Sequence, residues 1–484
     1  MRIHVDRDKC EGHSRCYALA PALVDVDDLG NAFELNDGVV PAGMEEKAQL
    51  IIDNCPEFAI AVIEDCGCPA DQARRLTMTD TERCPVNDLA TDYDIFDPDY
   101  VRDPVPAWAE LRGSCPIAHT DRYGGSWLPT RYEAVQAMAK MVPELSSASP
   151  GPIVIDLPVE LRDQSRQGYN AAAPISADPP EQTWTRKALL PHFTPKAIGP
   201  ERDYSERLCN DLIDGFIDAE GCDGAVDYAQ QIPPRVIASK LGVDQSRVDD
   251  FIGWVRGVLE FGLTDPELRL KNSNLIRDFF AAEVANRRTN PGDDLITALC
   301  QTEVDGESLP DEVVIGMCNL QLVAGIDTTW SSIGSALWHF APHENDRRRM
   351  AEADDALWDT AIEELLRFYS PVTMARNAIE TVEYGGVTME PGDKILMNFP
   401  GANHDPDVFE DPDTVVLDRQ RNRHVAFGAG IHRCAGSNLA RMEMEVSLKA
   451  WFARIPEFTL VDPDAVTWAG GQVRGPRRLP ILFG

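Results

Sequence analysis

Positive charge is scarce in this chain of 484 residues: 45 Lys and Arg stand against 80 Asp and Glu, a net charge of −35. A surface of that sign repels phosphate, which argues against nucleic acid as a partner. The opening MRIHVDRDKC lacks an apolar stretch that would serve as a leader. The longest apolar run, around Ile315 to Ile326, falls short of the roughly 18 residues a membrane span needs. Low-complexity tracts and repeats of solenoid period are missing, and so is any flavin or nicotinamide fingerprint. The expectation is a multidomain cytoplasmic protein with no membrane span. In that compartment its 12 cysteines read as metal ligands and buried thiols rather than disulfides.

Two of those cysteines lie in KCEGHSRC (9–16). Cys10 and Cys16 have the spacing of the outer thiolates in C-x2-C-x2-C, with His13 at the middle place. Cys55 is followed by Pro56, the C-P ending of ferredoxin ligand runs. RIHVD (2–6) and AIAVIED (59–65) alternate like paired strands. LVDVDDLGNAFEL (23–35) reads as a hairpin turning at Asp28 to Asn31, and Met44 to Asp53 has helical spacing. Gly12 and Ser14 are small enough for the loop to wrap a cluster. On these residues, 1–65 resembles the single-cluster bacterial ferredoxins that serve monooxygenases, a small α+β domain.

The resemblance implies one iron–sulfur cluster held by Cys10, Cys16 and Cys55. Three matching thiolates favour a three-iron cluster (3Fe-4S) over a four-iron one (4Fe-4S). His13 has two readings, a fourth ligand or a neighbour of an open cube corner. Cys66 and Cys68 read as linker cysteines, with a fourth thiolate as the alternative. Residues 66–92 lose periodicity and are expected to form a linker, with Cys84 an incidental thiol.

The rest, 93–484, contains FGAGIHRCAG (427–436), EELLR (363–367) followed by SPV, and AGIDTT (324–329) inside an apolar helical stretch. The G-x-G of the first is no dinucleotide loop, because Arg433 stands where a third glycine would follow. The run AGSNLARMEME after Cys434 looks helical, so its first N–H groups would face the sulfur. Together these stretches resemble the cytochrome P450 family, implying a large, mainly α-helical fold with minor β-sheets. In that family Cys434 would be the thiolate ligand of haem b, which favours O–O cleavage of bound dioxygen. Phe427, Gly428, Gly430 and Gly436 fill the fixed places of the haem-binding loop. Glu364 and Arg367 would lock to Arg419.

The resemblance extends residue by residue. SADPPEQTWTR (176–186) would supply Arg186 to a haem propionate, with Gln182 where the family has histidine; Arg376 and His432 match further propionate ligands. Gly325 would leave room for dioxygen, Thr328 would bond its distal oxygen and Asp327 would relay protons. The implied activity is a self-contained monooxygenase inserting one oxygen atom into a mainly hydrophobic substrate near Leu320, Val323, Ala324 and Val372, under a cap at 153–159. Its electrons would come from a separate NAD(P)H-dependent flavoprotein reductase through the fused cluster. The alternatives are a peroxide-driven haem enzyme and a haem and iron–sulfur redox or gas sensor. Residues 1–65 are acidic, whereas Arg419, Arg421, Arg423 and Arg433 make the segment around Cys434 locally basic. Opposite charge would orient the first module toward the second.

Overall fold

The computed structural model describes all residues except Asp28, 64–87, 149–150, 163 and 166–171. Cys66, Cys68 and Cys84, and most of the expected linker, lie outside the described residues.

The N-terminal module follows its alternation pattern. Strand Arg2–Val5 pairs antiparallel with Ile60–Ile63 in the register Arg2 to Ile63. Val24–Val26 and Ala32–Glu34 form the expected hairpin. Helix Glu45–Asp53 turns Ala48 and Ile51, three residues apart, inward. Those side chains complete a core with Ile3, Val5, Leu23, Val24 and Ile60. This core is small, so the module has little apolar area of its own to bury.

The second region is dominated by helices. Its spine is the thirty-residue helix Asp311–Phe340, which starts with Asp311 and Glu312 in its first turn, where carboxylates favour the helix dipole. Among the described residues it alone is long and apolar enough to cross a membrane, yet 72% of its most apolar window is buried inside the protein. Trp330, Ile333 and Leu337 on it meet Trp451 and Leu448 of helix Ser437–Arg454 in one large core. An apolar helix surrounded by other helices is what a core spine requires.

Beside this bundle lies a five-stranded sheet in the order Ile117–Thr120, Ser126–Pro129, Lys394–Met397, Met374–Ala378, Leu145–Ser146. It carries Arg376 toward the centre of the molecule. One difference from the sequence reading concerns 88–92. These residues form a short helix, Asp88–Asp92, and Ala90 is buried against Tyr93, Ile95 and Leu111. Five residues are too few to show a helical period, and tertiary packing supplies what periodicity lacks.

Candidate active site

Cys434 lies just ahead of helix Ser437–Arg454, whose N-cap is Gly436. Its amide donates to the Phe427 carbonyl at 2.8 Å, closing the loop on itself. Gly428 and Gly430 sit at φ +76° and +67°, a region side chains rarely tolerate, and a Cβ on Gly430 would come within 3.0 Å of the Ala139 carbonyl. Burial raises the Cys434 thiol above its ordinary range, while Arg433, the Gly436 amide and Arg186 act in the opposite sense.

One apolar cavity opens above this loop. Its walls include Cys434, Phe427, Thr328 and Leu320, together with Arg186, Arg376 and His432. Arg186 Nη2, Arg376 Nε and His432 Nε2 are buried without a hydrogen-bond partner. Burial pulls Arg376 down to about 10, and burial with Arg376 and Arg186 holds His432 well below its ordinary value. Buried donors left unpaired are costly, so this cluster calls for an anionic ligand. Haem propionates would fit it, and Cys434 lines the same cavity, where its sulfur could serve as the iron ligand.

The other expected residues divide by helical phase. Leu320, Ala324 and Thr328 recur every four residues along the spine and line the cavity, as does Val372. The Thr328 hydroxyl donates to the Ala324 carbonyl at 2.8 Å, leaving its oxygen an acceptor. Val323 and Asp327 belong to the adjoining stripe and are not among the cavity's walls. Asp327 is fully buried and accepts from Arg477 Nη2 at 2.7 Å and from Ser331 Oγ at 3.2 Å. Arg477 in turn pairs with Glu260, which also binds Arg256. Burial raises the Asp327 carboxyl, Arg477 lowers it and Glu260 raises it.

Gly325 does line the cavity, but its missing Cβ also admits Ile237, whose δ-methyl would lie 2.9 Å away. Gln182 is buried with its amide donating to the Ile431 carbonyl at 2.6 Å, so it braces the cysteine loop instead of facing the cavity. The stretch 153–159 does not reach the cavity either; Pro174 and Ile175 do. Glu364 binds Arg367 Nε and Nη2, each at 2.8 Å, and Arg419 Nε at 2.9 Å.

The N-terminal cysteines gather around a second, smaller cavity. Cys10, Cys16 and Cys55 line it with His13 and Glu57. Among the described residues no three His, Cys, Asp or Glu side chains converge on a single ion. Ala32 N–H donates to Cys10 Sγ and Ala59 N–H to Cys55 Sγ, both at 3.3 Å. Burial, then the charges of Cys10 and Cys55, pushes Cys16 up to about 12. Three thiolates there need bound cationic metal, and an iron–sulfur cluster fits. Burial holds His13 down to about 3; its Nε2 lies 3.3 Å from Glu57 Oε1. Burial alone would raise Glu57, but its bonds to His13 and Lys140 bring it down to about 2.

Arg433 lines the larger cavity and bonds Glu11, which lines the smaller one. Helix Tyr132–Lys140 buries Val135, Met138 and Ala139 and turns Gln136 and Lys140, four residues apart, toward the N-terminal module. Gln136 Nε2 donates to the Pro56 carbonyl at 2.6 Å, and Lys140 pairs with Glu57. Glu57 also accepts from the Gly430 amide at 3.2 Å. Asn54 Nδ2 donates to the Gln420 carbonyl at 2.7 Å and its Oδ1 accepts from Asn422 N–H at 3.1 Å. Of the four arginines, Arg421 pairs with Asp53 at 3.0 Å, Arg423 donates to the Asp53 carbonyl at 2.8 Å and Arg433 donates to the Glu11 carbonyl. Arg419 is the exception, turned inward to Glu364. Glu57, Lys140 and Gln136 were not singled out in the sequence; the i, i+4 pair carries a weak signal, and Glu57 carries none outside the fold.

Comparison with known proteins matches both regions of the chain to known families. The family model described as "Cytochrome P450" matches residues 263–454, and that described as "4Fe-4S single cluster domain" matches 3–62. The chain is 32% identical to cytochrome P450 107B1 of Saccharopolyspora erythraea, over 80% of this chain and 97% of that protein. It is 32% identical to the vitamin D(3) 25-hydroxylase of Pseudonocardia autotrophica, over 84% and 98%. The solved structure of the Bacillus subtilis polyketide-synthase cytochrome P450 PksS superposes with a TM-score of 0.72 at 28% identity, covering 81% of this chain and all of that one.

Proposed function

Since this chain belongs to the cytochrome P450 family and carries a ferredoxin-like domain at its N-terminus, we propose that it is a self-contained monooxygenase fed by its own cluster. The observation that carries the reading is the seating of both cysteine-bearing loops of the first module, around Glu11 and Glu57, directly on the loop that bears Cys434. When bound, haem supplies dioxygen activation and the cluster supplies single electrons drawn from an NAD(P)H-dependent flavoprotein reductase in the cytoplasm. Residues 1–65 and 93–484 act as the two functional modules.

The chain's own residues then have distinct tasks. Arg186, Arg376 and His432 hold carboxylates at the cavity wall, and Gln182 keeps the Ile431 carbonyl in place behind them. Phe427, Gly428, Gly430 and Gly436 shape the loop that presents the Cys434 sulfur. Thr328 offers a hydroxyl that accepts and passes a proton at its Oγ. Asp327, held by Arg477, connects that face of the spine to the part-buried Glu260 and Arg256 pair. The guanidiniums stay charged and position the carboxylate, so Asp327 itself is the group on this side that takes up and releases a proton. Leu320, Ala324, Val372, Ile175 and Ile237 exclude water and favour a mainly hydrophobic substrate, in keeping with the relative named for vitamin D(3).

For the cluster, we infer the three-iron form. Three thiolates are at hand, and the ring nitrogen of His13 that faces Glu57 is already engaged. Iron and sulfide analysis with electron paramagnetic resonance tests this, since an oxidised three-iron cluster is paramagnetic and an oxidised four-iron one is not. A four-iron parent that loses one iron in His13→Ala would make His13 a ligand. The activity is tested with full-length holoprotein, a flavoprotein reductase, NAD(P)H and a panel of apolar compounds, with no ferredoxin added. Oxygenated product is expected; product only after a separate ferredoxin is supplied would overturn the self-contained reading, and spectral change without product would favour a sensor.

A further inference from the structure

We propose that Arg433 is the positioning residue that fixes the electron-transfer junction between the N-terminal module and Cys434. The inference rests on the reading of the chain as a monooxygenase served by its own cluster. Arg433 is 2% exposed and lies between the two halves. Its Nε donates to the carbonyl of Glu11, the residue that follows Cys10. Its Nη1 donates to the Cys434 carbonyl at 3.2 Å and to Ser437 Oγ at 2.9 Å. From Cys10 to Cys434 the route therefore runs through covalent bonds and one hydrogen bond, between Glu11 and Arg433.

Other contacts across the interface do less. The Cys55 side reaches the cysteine loop through Glu57, but it ends at Gly430, four residues before Cys434. Arg421 and Arg423 grip Asp53 from farther back in the chain. Gly12 is shaped to the same arginine: it sits at φ +68°, and a Cβ there would lie 3.2 Å from Arg433 Nη2. The planar fork of a guanidinium spreads its donors over separate nitrogens and so reaches acceptors on two modules at once, whereas an ammonium carries all three of its donors on one nitrogen.

The test uses full-length holoprotein with haem and cluster content measured in each variant. The cluster is reduced by the reductase and NAD(P)H under carbon monoxide, and formation of the reduced haem complex is followed by stopped flow. The parent should give a first-order rate independent of protein concentration. Arg433→Met should slow it by about tenfold or more, the loss expected for a charge-assisted hydrogen bond that holds the docked state. Arg433→Lys should fall between the two, and Asn54→Ala, which loosens the interface away from Cys434, should have a smaller effect. Direct reduction by dithionite should still yield the same complex in every variant. In Arg433→Met the cluster-driven rate should fall by more than the dithionite rate does, which loss of charge beside Cys434 alone would not give. Arg433→Met transferring at the parent's rate overturns the proposal; should that variant lose haem or cluster, Arg433→Lys at the parent's rate does so. A parent that dithionite reduces but its own cluster does not would overturn the self-contained reading itself.

Discussion

Around Cys434, long side chains join the Gly436 amide in compensating charge; around Cys10 and Cys55 the compensation comes from backbone amides. Arg433 and Arg186 act on the single buried thiol, with Arg376 and His432 at the same cavity. Of the N-terminal thiols, Cys10 and Cys55 instead receive the amides of Ala32 and Ala59, and Arg15, which borders their cavity, points away to Glu363 at 3.7 Å. Side-chain compensation is removable one residue at a time, so losses at the haem cavity should be graded. Backbone compensation is set by the fold, so the cluster site should be held or lost as a whole.

The comparison breaks most visibly at the sulfur ligands. Cys434→Ala should abolish the thiolate carbon monoxide band and all product, while cluster iron and sulfide stay at the parent's content; both are read by difference spectroscopy and iron analysis. Cys16→Ala should do the reverse. It should empty the first module of iron, leave the dithionite-reduced carbon monoxide band intact, and stop turnover driven by the reductase. A retained cluster in Cys16→Ala would mean that the backbone and the remaining thiols suffice.

Within the cavity, graded effects should follow. Thr328→Ala should keep haem and NAD(P)H consumption yet lower product on the order of 100-fold, with the difference recovered as hydrogen peroxide. Arg376→Met should weaken haem retention by about 2 kcal/mol, the worth of one hydrogen bond to a charged partner; transfer of haem to an apo-globin acceptor measures it. The smallest effect belongs to Arg421, whose side chain is 80% exposed. Arg421→Ala should change docking by less than about 0.5 kcal/mol, read as an unaltered rate of haem reduction by the cluster.

How much of this was legible in the sequence follows from where each signal resides. The loop around Cys434 and the pair Glu364 and Arg367 are encoded in short fixed spacings, Arg419 followed from the family resemblance alone, and the structure brings Glu364, Arg367 and Arg419 together. Strands Arg2–Val5 and Ile60–Ile63 likewise follow from alternation. The cavity walls were harder. Val323 and Asp327 sit one residue before Ala324 and Thr328, and that single step of helical phase, about 100°, turns them onto another stripe. Reading the spine at intervals of four from Thr328 would have selected Leu320, Ala324 and Ser332 and left out Val323. Ile175 and Ile237 come from chain segments that only the fold brings to the cavity, and the docking role of Glu57 depends on Lys140 and Gly430, far along the sequence.

Gly430 has a bearing on how such chains could be recombined. Its amide is taken by Glu57, and the space where its side chain would be is taken by the Ala139 carbonyl. Three segments, from the ferredoxin-like tail, the helix Tyr132–Lys140 and the haem loop, thus share one point. A donor ferredoxin without an acid at the place of Glu57 would leave a buried amide without an acceptor, at a cost of about 1–3 kcal/mol. A donor haem half with any side chain at residue 430 would push the helix, and Gln136 and Lys140 with it, off the graft. The halves are a matched pair to be transplanted together, not interchangeable cassettes.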